Sequence, residues 1–131
     1  MKKVLIIEDS PDVQEFVTVL ISSFGYDAAA VPSRDKALAS MAKYEPELLL
    51  MDHGMPGMNL DDFLFNVRAE FPNTRIVLYS AENAQAKAQA YGIKYFIAKP
   101  FQINELEEIL GECFSGGRSS LLPSVRIPAT V

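Results

Sequence analysis

Three acidic residues, one serine and one lysine of this sequence lie at the ends of short apolar runs. Glu8 and Asp9 follow the first run, and Asp52 follows a later one. Ser80 and Lys99 follow two further runs. Ligands of open α/β sheets bind at the carboxyl ends of the strands, so we expect these five side chains at one edge of a sheet. Each residue alone is more typical of a turn or a helix cap, but their common placement predicts a site.

The chemistry that such a site supports is phosphoryl transfer to a carboxylate. Clustered like charges raise the pKa of a carboxyl group and oppose folding, so the cluster predicts a bound cation. Oxygen ligands with room for water favour Mg²⁺ over a transition metal. Mg²⁺ would let the anionic Asp52 approach an anionic phosphate, and Ser80 and Lys99 would bind the remaining phosphoryl oxygens.

The elements that must position these residues follow from the apolar pattern. Short, nearly continuous apolar runs are typical of strands buried on both faces of a parallel sheet. The segments between them have helical spacing. Five strand–helix alternations predict an α/β fold, a doubly wound five-stranded parallel sheet with helices on both faces. The predicted strands contain residues 4–7, 27–31, 48–51, 76–79 and 95–97.

Polar residues in front of the helical segments mark where the helices begin. Serine and asparagine side chains cap the N–H groups of a first helical turn, and proline suits the position after the cap. Gly25 is the predicted stop of the first helix, and a short alanine-rich helix is expected at residues 83–90. The predicted caps are Ser10 before Pro11, Ser33, Asn59, and Asn104 with Glu107 completing a capping box.

Length, charge and cysteine content restrict the other properties of the chain. Residues 1–114 fit one compact domain, and the glycines, serines and prolines of 115–131 predict a linker or C-terminal tail. All seventeen acidic residues lie before residue 115, which disfavours direct nucleic-acid binding by this domain.

No apolar run reaches the roughly 20 residues of a membrane helix. We expect no membrane association and, with the single cysteine Cys113, a cytoplasmic protein.

Four segments of the sequence resemble the receiver domain of two-component response regulators, over roughly residues 2–114. VLIIEDS at 4–10 is similar to the first strand and acidic pair of that family, and LLMDHGMPGM at 49–58 to its phosphoacceptor strand and loop. LYSA at 78–81 resembles the strand with the switch Ser or Thr, and KPF at 99–101 the K-P-F signature. The four in this order are highly specific. The resemblance implies a flavodoxin-like sheet of order 2-1-3-4-5.

The resemblance also implies an acceptor and a metal site. Asp52 would accept a phosphoryl group from a sensor histidine kinase or a histidine phosphotransfer protein. Glu8 and Asp9 would hold Mg²⁺ together with Asp52 and the backbone carbonyl of Gly54. His53, directly after the acceptor, is interpreted as a solvated loop residue. Glu8 departs from the commoner aspartate at its position.

Three further residues are implied to report phosphorylation. Ser80 would turn inward to the acyl phosphate, Lys99 would form an ion pair with it, and Phe96 occupies the aromatic switch position. Phe96 lacks a hydroxyl, so such a switch would work by packing alone. The Lys99–Pro100 bond is expected to be cis. The segment 80–92 is about three residues shorter than in typical members, nearly one helical turn, on the face that usually signals.

The output would be a downstream protein target or a linked output domain, with no enzyme activity beyond self-phosphorylation and self-dephosphorylation. One alternative is a pseudo-receiver, an interaction module that keeps the fold without phosphorylation. A less favoured alternative is an aspartyl-nucleophile phosphohydrolase, which would place a second aspartate where this sequence has Gly54.

Overall fold

The computed structural model describes residues 1–55 and 57–115 of the chain, where five strands and five helices alternate. No helix in this part is both long and apolar enough to span a bilayer. The strands are β1 (Lys3–Ile7), β2 (Asp27–Val31), β3 (Leu48–Asp52), β4 (Arg75–Ser80) and β5 (Tyr95–Ala98). The helices are α1 (Pro11–Ser23), α2 (Arg34–Tyr44), α3 (Leu60–Glu70), α4 (Ala84–Ala90) and α5 (Ile103–Ser115).

The strands form one five-stranded parallel sheet in the order β2-β1-β3-β4-β5. This order confirms the predicted fold class. Each predicted strand is present; β3 extends by one residue to Asp52, and β4 extends by one residue at each end, to Arg75 and Ser80. Internal contacts divide the chain into two compact units, Met1–Arg75 and a second that begins at Ile76.

In the first unit, β1 lies between β2 and β3. Val4 is opposite Ala28 on one side and Leu48 on the other, and the four residues from Val4 to Ile7 are buried. α1 contacts β1 and β2, and α2 contacts the same two strands and α3. Right-handed crossovers place α1 on one face of these strands and α2 with α3 on the other. The apolar run of β1 is therefore covered on both faces, as its sequence predicts.

In the second unit, β4 pairs with β5 from Val77 opposite Tyr95 to Ser80 opposite Ala98. Both α4 and α5 contact β5. The buried residues of α5 are Glu105, Leu106, Ile109, Leu110 and Cys113.

The C-terminal boundary of the described region falls at the end of α5. Ser115 is the last residue of that helix, so the helix extends one residue into the segment predicted as a linker or tail. The remainder of that prediction, residues 116–131, lies outside the described residues.

Three of the predicted caps and the predicted stop are confirmed. Gly25 follows α1 with a φ of 99°, a left-handed conformation that glycine adopts without steric cost. Each cap side chain accepts hydrogen bonds from N–H groups of its first helical turn. Ser10 accepts from Val13 at 3.5 Å, Ser33 from Lys36 at 3.2 Å, and Asn59 from Asp61 and Asp62 at 2.7 and 3.3 Å.

The predicted cap of α5 is wrong. Asn104 lies inside the helix, which begins at Ile103, and the carboxylate of Glu105 accepts a hydrogen bond from the N–H of Gln102. The pairs Gln102–Glu105 and Asn104–Glu107 have the same spacing, so the sequence pattern fits both. In the structure Glu105 is buried and Glu107 is exposed, and the buried carboxylate bonds the helix start.

Candidate functional site

Two predicted carboxylates lie at the ends of neighbouring strands in the first unit. β1 and β3 pair in parallel register, and Ile7 is opposite Met51. The next residue along β1 is Glu8 and the next along β3 is Asp52, so the two residues follow one register pair. The Asp52 side chain is half-buried, which leaves it accessible at the end of its strand.

Glu8 is the most enclosed of the acidic site residues, with 3% of its surface exposed. Its Oε2 accepts a hydrogen bond from the N–H of Ser10 at 3.0 Å, directly before α1. Its own N–H donates to the carbonyl of Val31 at 3.0 Å, and the Gln14 side chain donates to its carbonyl. Asp9 is exposed. The buried carboxylate of Glu8 thus meets the N-terminal end of α1, where helix dipoles favour negative charge.

Asp52 accepts a hydrogen bond at Oδ1 from the N–H of Gly54, at 3.1 Å. Gly54 is exposed, and a Cβ added there would meet nothing within 4 Å. Within residues 1–55 and 57–115, no three His, Cys, Asp or Glu side chains form a preassembled metal site. The carboxylates of Glu8 and Asp52 instead accept hydrogen bonds from N–H groups two residues further along the chain.

In the second unit, Ser80 ends β4 with 3% of its surface exposed. Its hydroxyl donates to the carbonyl of Glu82 at 2.9 Å and accepts from the N–H of Glu82 at 3.2 Å. The ammonium of Lys87 on α4 donates to the same hydroxyl at 3.3 Å. Three polar groups therefore fix the Ser80 side chain beside the start of α4.

The main chains of Lys99 and Ser80 are joined by a hydrogen bond. The N–H of Lys99 donates to the carbonyl of Ser80 at 2.8 Å, just beyond the pairing of β4 with β5. Its ammonium is 4.4 Å from the ring centroid of Tyr79, a cation–π distance. The Lys99–Pro100 bond is cis, as expected. The structure thus brings Ser80 and Lys99 together within the second unit.

The predicted switch residue Phe96 is 5% exposed, and it lies opposite Leu78 in the register of β5 with β4. Its ring belongs to the apolar core of the second unit. An apolar residue of a strand in a parallel sheet is expected to be buried, as Phe96 is.

Two residues with direct contacts in these regions were not predicted from the sequence. Arg34 reaches the loop after Asp52, and Lys87 reaches Ser80. Arg34 left no signal in the sequence, because an arginine in the first turn of a helix is ordinarily exposed. Lys87 left none, because long flexible side chains find partners that only the folded chain determines.

A parallel sheet of this order, with a carboxylate after β1, a carboxylate ending β3, a serine ending β4 and a lysine after β5, defines the receiver class of signalling domains. The family model of the response regulator receiver domain matches residues 4–111. The chain belongs to this family. Receiver domains are components of two-component signalling systems and not classical enzymes.

Individual relatives are similar over most of the chain. The chemotaxis protein CheY of Thermotoga maritima is 31% identical over 115 residues, which cover 85% of this chain and 96% of CheY. The two-component response regulator PhoP of Pseudomonas aeruginosa is 31% identical over 80% of this chain. The matched region is 48% of PhoP and 11% of the sensor histidine kinase TmoS of Ectopseudomonas mendocina, so several relatives are much longer than a receiver domain.

Solved structures give the same fold. CheY4 of Vibrio cholerae superimposes with a TM-score of 0.77 and 27% identity, over 86% of this chain and 98% of that one. The receiver domain of the sensor histidine kinase PA1611 of Pseudomonas aeruginosa has a TM-score of 0.77 at 23% identity, covering 88% and 98%. That second structure has a magnesium ion coordinated in its active site cleft.

Proposed function

We propose that Asp52 is the phosphoacceptor of this receiver domain and takes its phosphoryl group from a histidine kinase or a histidine phosphotransfer protein. The observation that carries the proposal is the register of β1 with β3, which puts Asp52 and Glu8 directly after the pair Ile7–Met51. The acceptor carboxylate is half-buried, so a phosphodonor can reach it. In this reaction an Asp52 oxygen attacks phosphorus, and the leaving group departs with the bonding electron pair.

We propose that Mg²⁺ is held by Glu8, Asp9, Asp52 and the backbone carbonyl of Gly54. The donors are all oxygens, which suits a hard dication and leaves positions for water. When bound, the ion neutralises charge on the transferring phosphoryl group. Oε2 of Glu8 and Oδ1 of Asp52 each accept a hydrogen bond from an N–H group, that of Ser10 and that of Gly54 respectively. Oxygen ligands of this kind fit the ion.

Ser80 and Lys99 are the proposed ligands of the phosphoryl oxygens, and Phe96 is the proposed packing switch. Support comes from the hydrogen bond between their backbones and from the burial of the Ser80 hydroxyl beside α4. An inward turn of Ser80 would break its contacts with Glu82 and Lys87. Phosphorylation would in this way change the surface around the start of α4.

The proposed partners are a sensor histidine kinase or phosphotransfer protein as donor, and a downstream protein or linked output domain as receiver of the signal. Residues 1–114 are the proposed receiver domain, within which the family model matches 4–111. The cytoplasm is the proposed compartment, in keeping with a chain that has one cysteine and no possible internal disulfide. The acidic domain is not proposed to bind nucleic acid directly.

The test is intact-mass spectrometry after incubation with Mg²⁺ and a small phosphodonor such as acetyl phosphate. We expect the wild type to gain one phosphoryl group, and chelation of Mg²⁺ to abolish the gain. Asp52→Asn should gain nothing, and the matched control Asp61→Asn, which removes an exposed carboxylate of α3, should behave as wild type. An unchanged wild-type mass would overturn the proposal in favour of a phosphorylation-independent interaction module.

A further inference from the structure

Arg34, the first residue of α2, is almost completely buried. Only 4% of its surface is exposed, although its neighbours Asp35 and Lys36 are exposed. Arginine is rarely buried unless its charge is balanced by polar partners. The partners of this side chain therefore indicate what the buried charge does.

The guanidinium of Arg34 binds three backbone carbonyls of one loop. This is the β3–α3 loop, residues 53–59, of which all but residue 56 are described. The fixed fork of an arginine suits several acceptors at once, and a charged donor strengthens each hydrogen bond. Nη2 donates to the carbonyl of His53 at 2.8 Å, and Nη1 to the carbonyls of Met55 and Met58 at 3.2 and 3.1 Å.

Asp35, the next residue of α2, binds the same loop from its own side chain. Its Oδ1 accepts a hydrogen bond from the N–H of Met58 at 2.8 Å. A Cβ added at Gly57 would lie 3.2 Å from this oxygen, and Gly57 has a φ of 107°. The loop backbone thus lies close to the start of α2, and the positive φ of Gly57 favours glycine there.

These contacts hold the loop backbone on both sides of Gly54. The His53 carbonyl belongs to the peptide group directly before Gly54, and the Met55 carbonyl belongs to the peptide group that follows Met55. Gly54 has no side chain, and nothing lies within 4 Å of where a Cβ would be, so side-chain packing does not restrain it. Glycine has the largest backbone freedom of any residue. Without these contacts, the Gly54 carbonyl would have to be ordered at the moment when a metal ion binds to it.

We propose that Arg34 is a positioning residue for the phosphorylation site, because it orders the loop that supplies the Gly54 carbonyl before any metal binds. This inference rests on the proposed function for its metal ligand, but the ordering itself is a property of the metal-free chain. A loop that is already ordered binds Mg²⁺ more tightly, because binding no longer includes the entropy of ordering it. Asp35 assists by bonding the far end of the same loop.

The test compares Arg34→Met, Arg34→Lys and the control Lys36→Met. Methionine keeps an unbranched apolar stem without the guanidinium, and lysine keeps the charge without the fork. Lys36→Met removes the same charge from an exposed position two residues away on α2. All proteins are studied as the full chain, first with the metal chelated and then in titrations with Mg²⁺.

The first readout is amide hydrogen exchange of Gly54 and Met58 in metal-free protein, followed by NMR. We expect exchange at least about tenfold faster in Arg34→Met than in wild type, an intermediate increase in Arg34→Lys, and no change in Lys36→Met. The second readout is the Mg²⁺ dissociation constant from titration calorimetry. We expect it to rise about tenfold in Arg34→Met, as for other residues that orient metal ligands, and to stay unchanged in Lys36→Met.

The outcomes separate this inference from the proposed function. An Arg34 variant with a lower Tm but wild-type Mg²⁺ affinity and loop exchange would overturn the positioning role and leave only a stabilising one. A wild type that neither binds Mg²⁺ nor accepts phosphate would overturn the proposed function and the metal-related part of the inference. In that case, if Arg34→Met leaves the amide hydrogen exchange of Gly54 and Met58 unchanged, the claim that Arg34 orders the β3–α3 loop is overturned as well. If Arg34→Met does not fold, Arg34→Lys carries the same comparison.

Discussion

The ammonium of Lys87 on α4 donates a hydrogen bond to the hydroxyl of Ser80 at the end of β4, over 3.3 Å. α4 has only seven residues, and Lys87 lies one turn into it. The same hydroxyl is bonded twice to the backbone of Glu82, so three contacts set its orientation. A lysine of this seven-residue helix therefore contacts the side chain proposed to change position on phosphorylation.

Replacing Lys87 should loosen the Ser80 hydroxyl in the unphosphorylated protein. In Lys87→Met we expect the NMR signals of Ser80 and Glu82 to move towards their positions in phosphorylated wild type, because one of three contacts that oppose the inward turn is lost. A hydrogen bond with a charged donor contributes about 1.5–3 kcal/mol when buried, and Lys87 is only half-buried, so we expect the lower end. Lys94→Met, at an exposed lysine of the same unit, is the control. Equal signal shifts in both variants would contradict a specific role for Lys87.

The C-terminal end of α2 offers a stabilising substitution. Glu45 caps this helix with φ 55° and ψ 58°, a left-handed conformation that costs a residue with a Cβ about 1 kcal/mol. We expect Glu45→Gly to raise the free energy of unfolding by about 0.5–1 kcal/mol, measured by urea denaturation. Glu70→Gly, at the last residue of α3, should lower it by a similar amount because its backbone is helical. A destabilised Glu45→Gly variant would show that the Glu45 side chain contributes more than the strain costs.

Tyr44 makes the stability of the fold depend on pH at the alkaline end. Burial of the phenol, followed by the negative charge of Asp27, raises the pKa of Tyr44 from 10.0 to about 12. The folded chain therefore keeps this proton over a pH range in which the unfolded chain loses it. The resulting stabilisation is complete below pH 10.0 and is lost as the pH rises towards about 12.

The measurement is urea denaturation at a series of pH values from 9 to 12, using Tyr44→Phe as the comparison. Phenylalanine has no proton to lose, so the alkaline decline in stability should be shallower in the variant. The variant should be less stable than wild type below pH 10.0, because it loses the hydrogen bond from the Tyr44 hydroxyl to the carbonyl of Asp27. Parallel pH profiles for the two proteins would refute the assignment.

The sequence by itself determined the fold and the positions of the candidate site residues along it. Strand type follows from continuous apolar runs, and the candidate site residues Glu8, Asp52, Ser80 and Lys99 lie at the ends of those runs. Caps such as Ser10 and Asn59 are equally local, because a cap and its N–H partners are two or three residues apart. Sequence patterns therefore predict the contacts between residues that are close together along the chain.

Tertiary structure decided the contacts that join distant parts of the chain. Arg34 and the carbonyl of His53 are 19 residues apart, and no sequence period relates them. The choice between Glu105 and Glu107 at the start of α5 was decided by which carboxylate the fold buries. Long polar side chains have many rotamers and many possible partners, so only packing selects one of them. The sequence therefore identifies the acceptor candidate Asp52, and the folded chain determines which residues order the loop beside it.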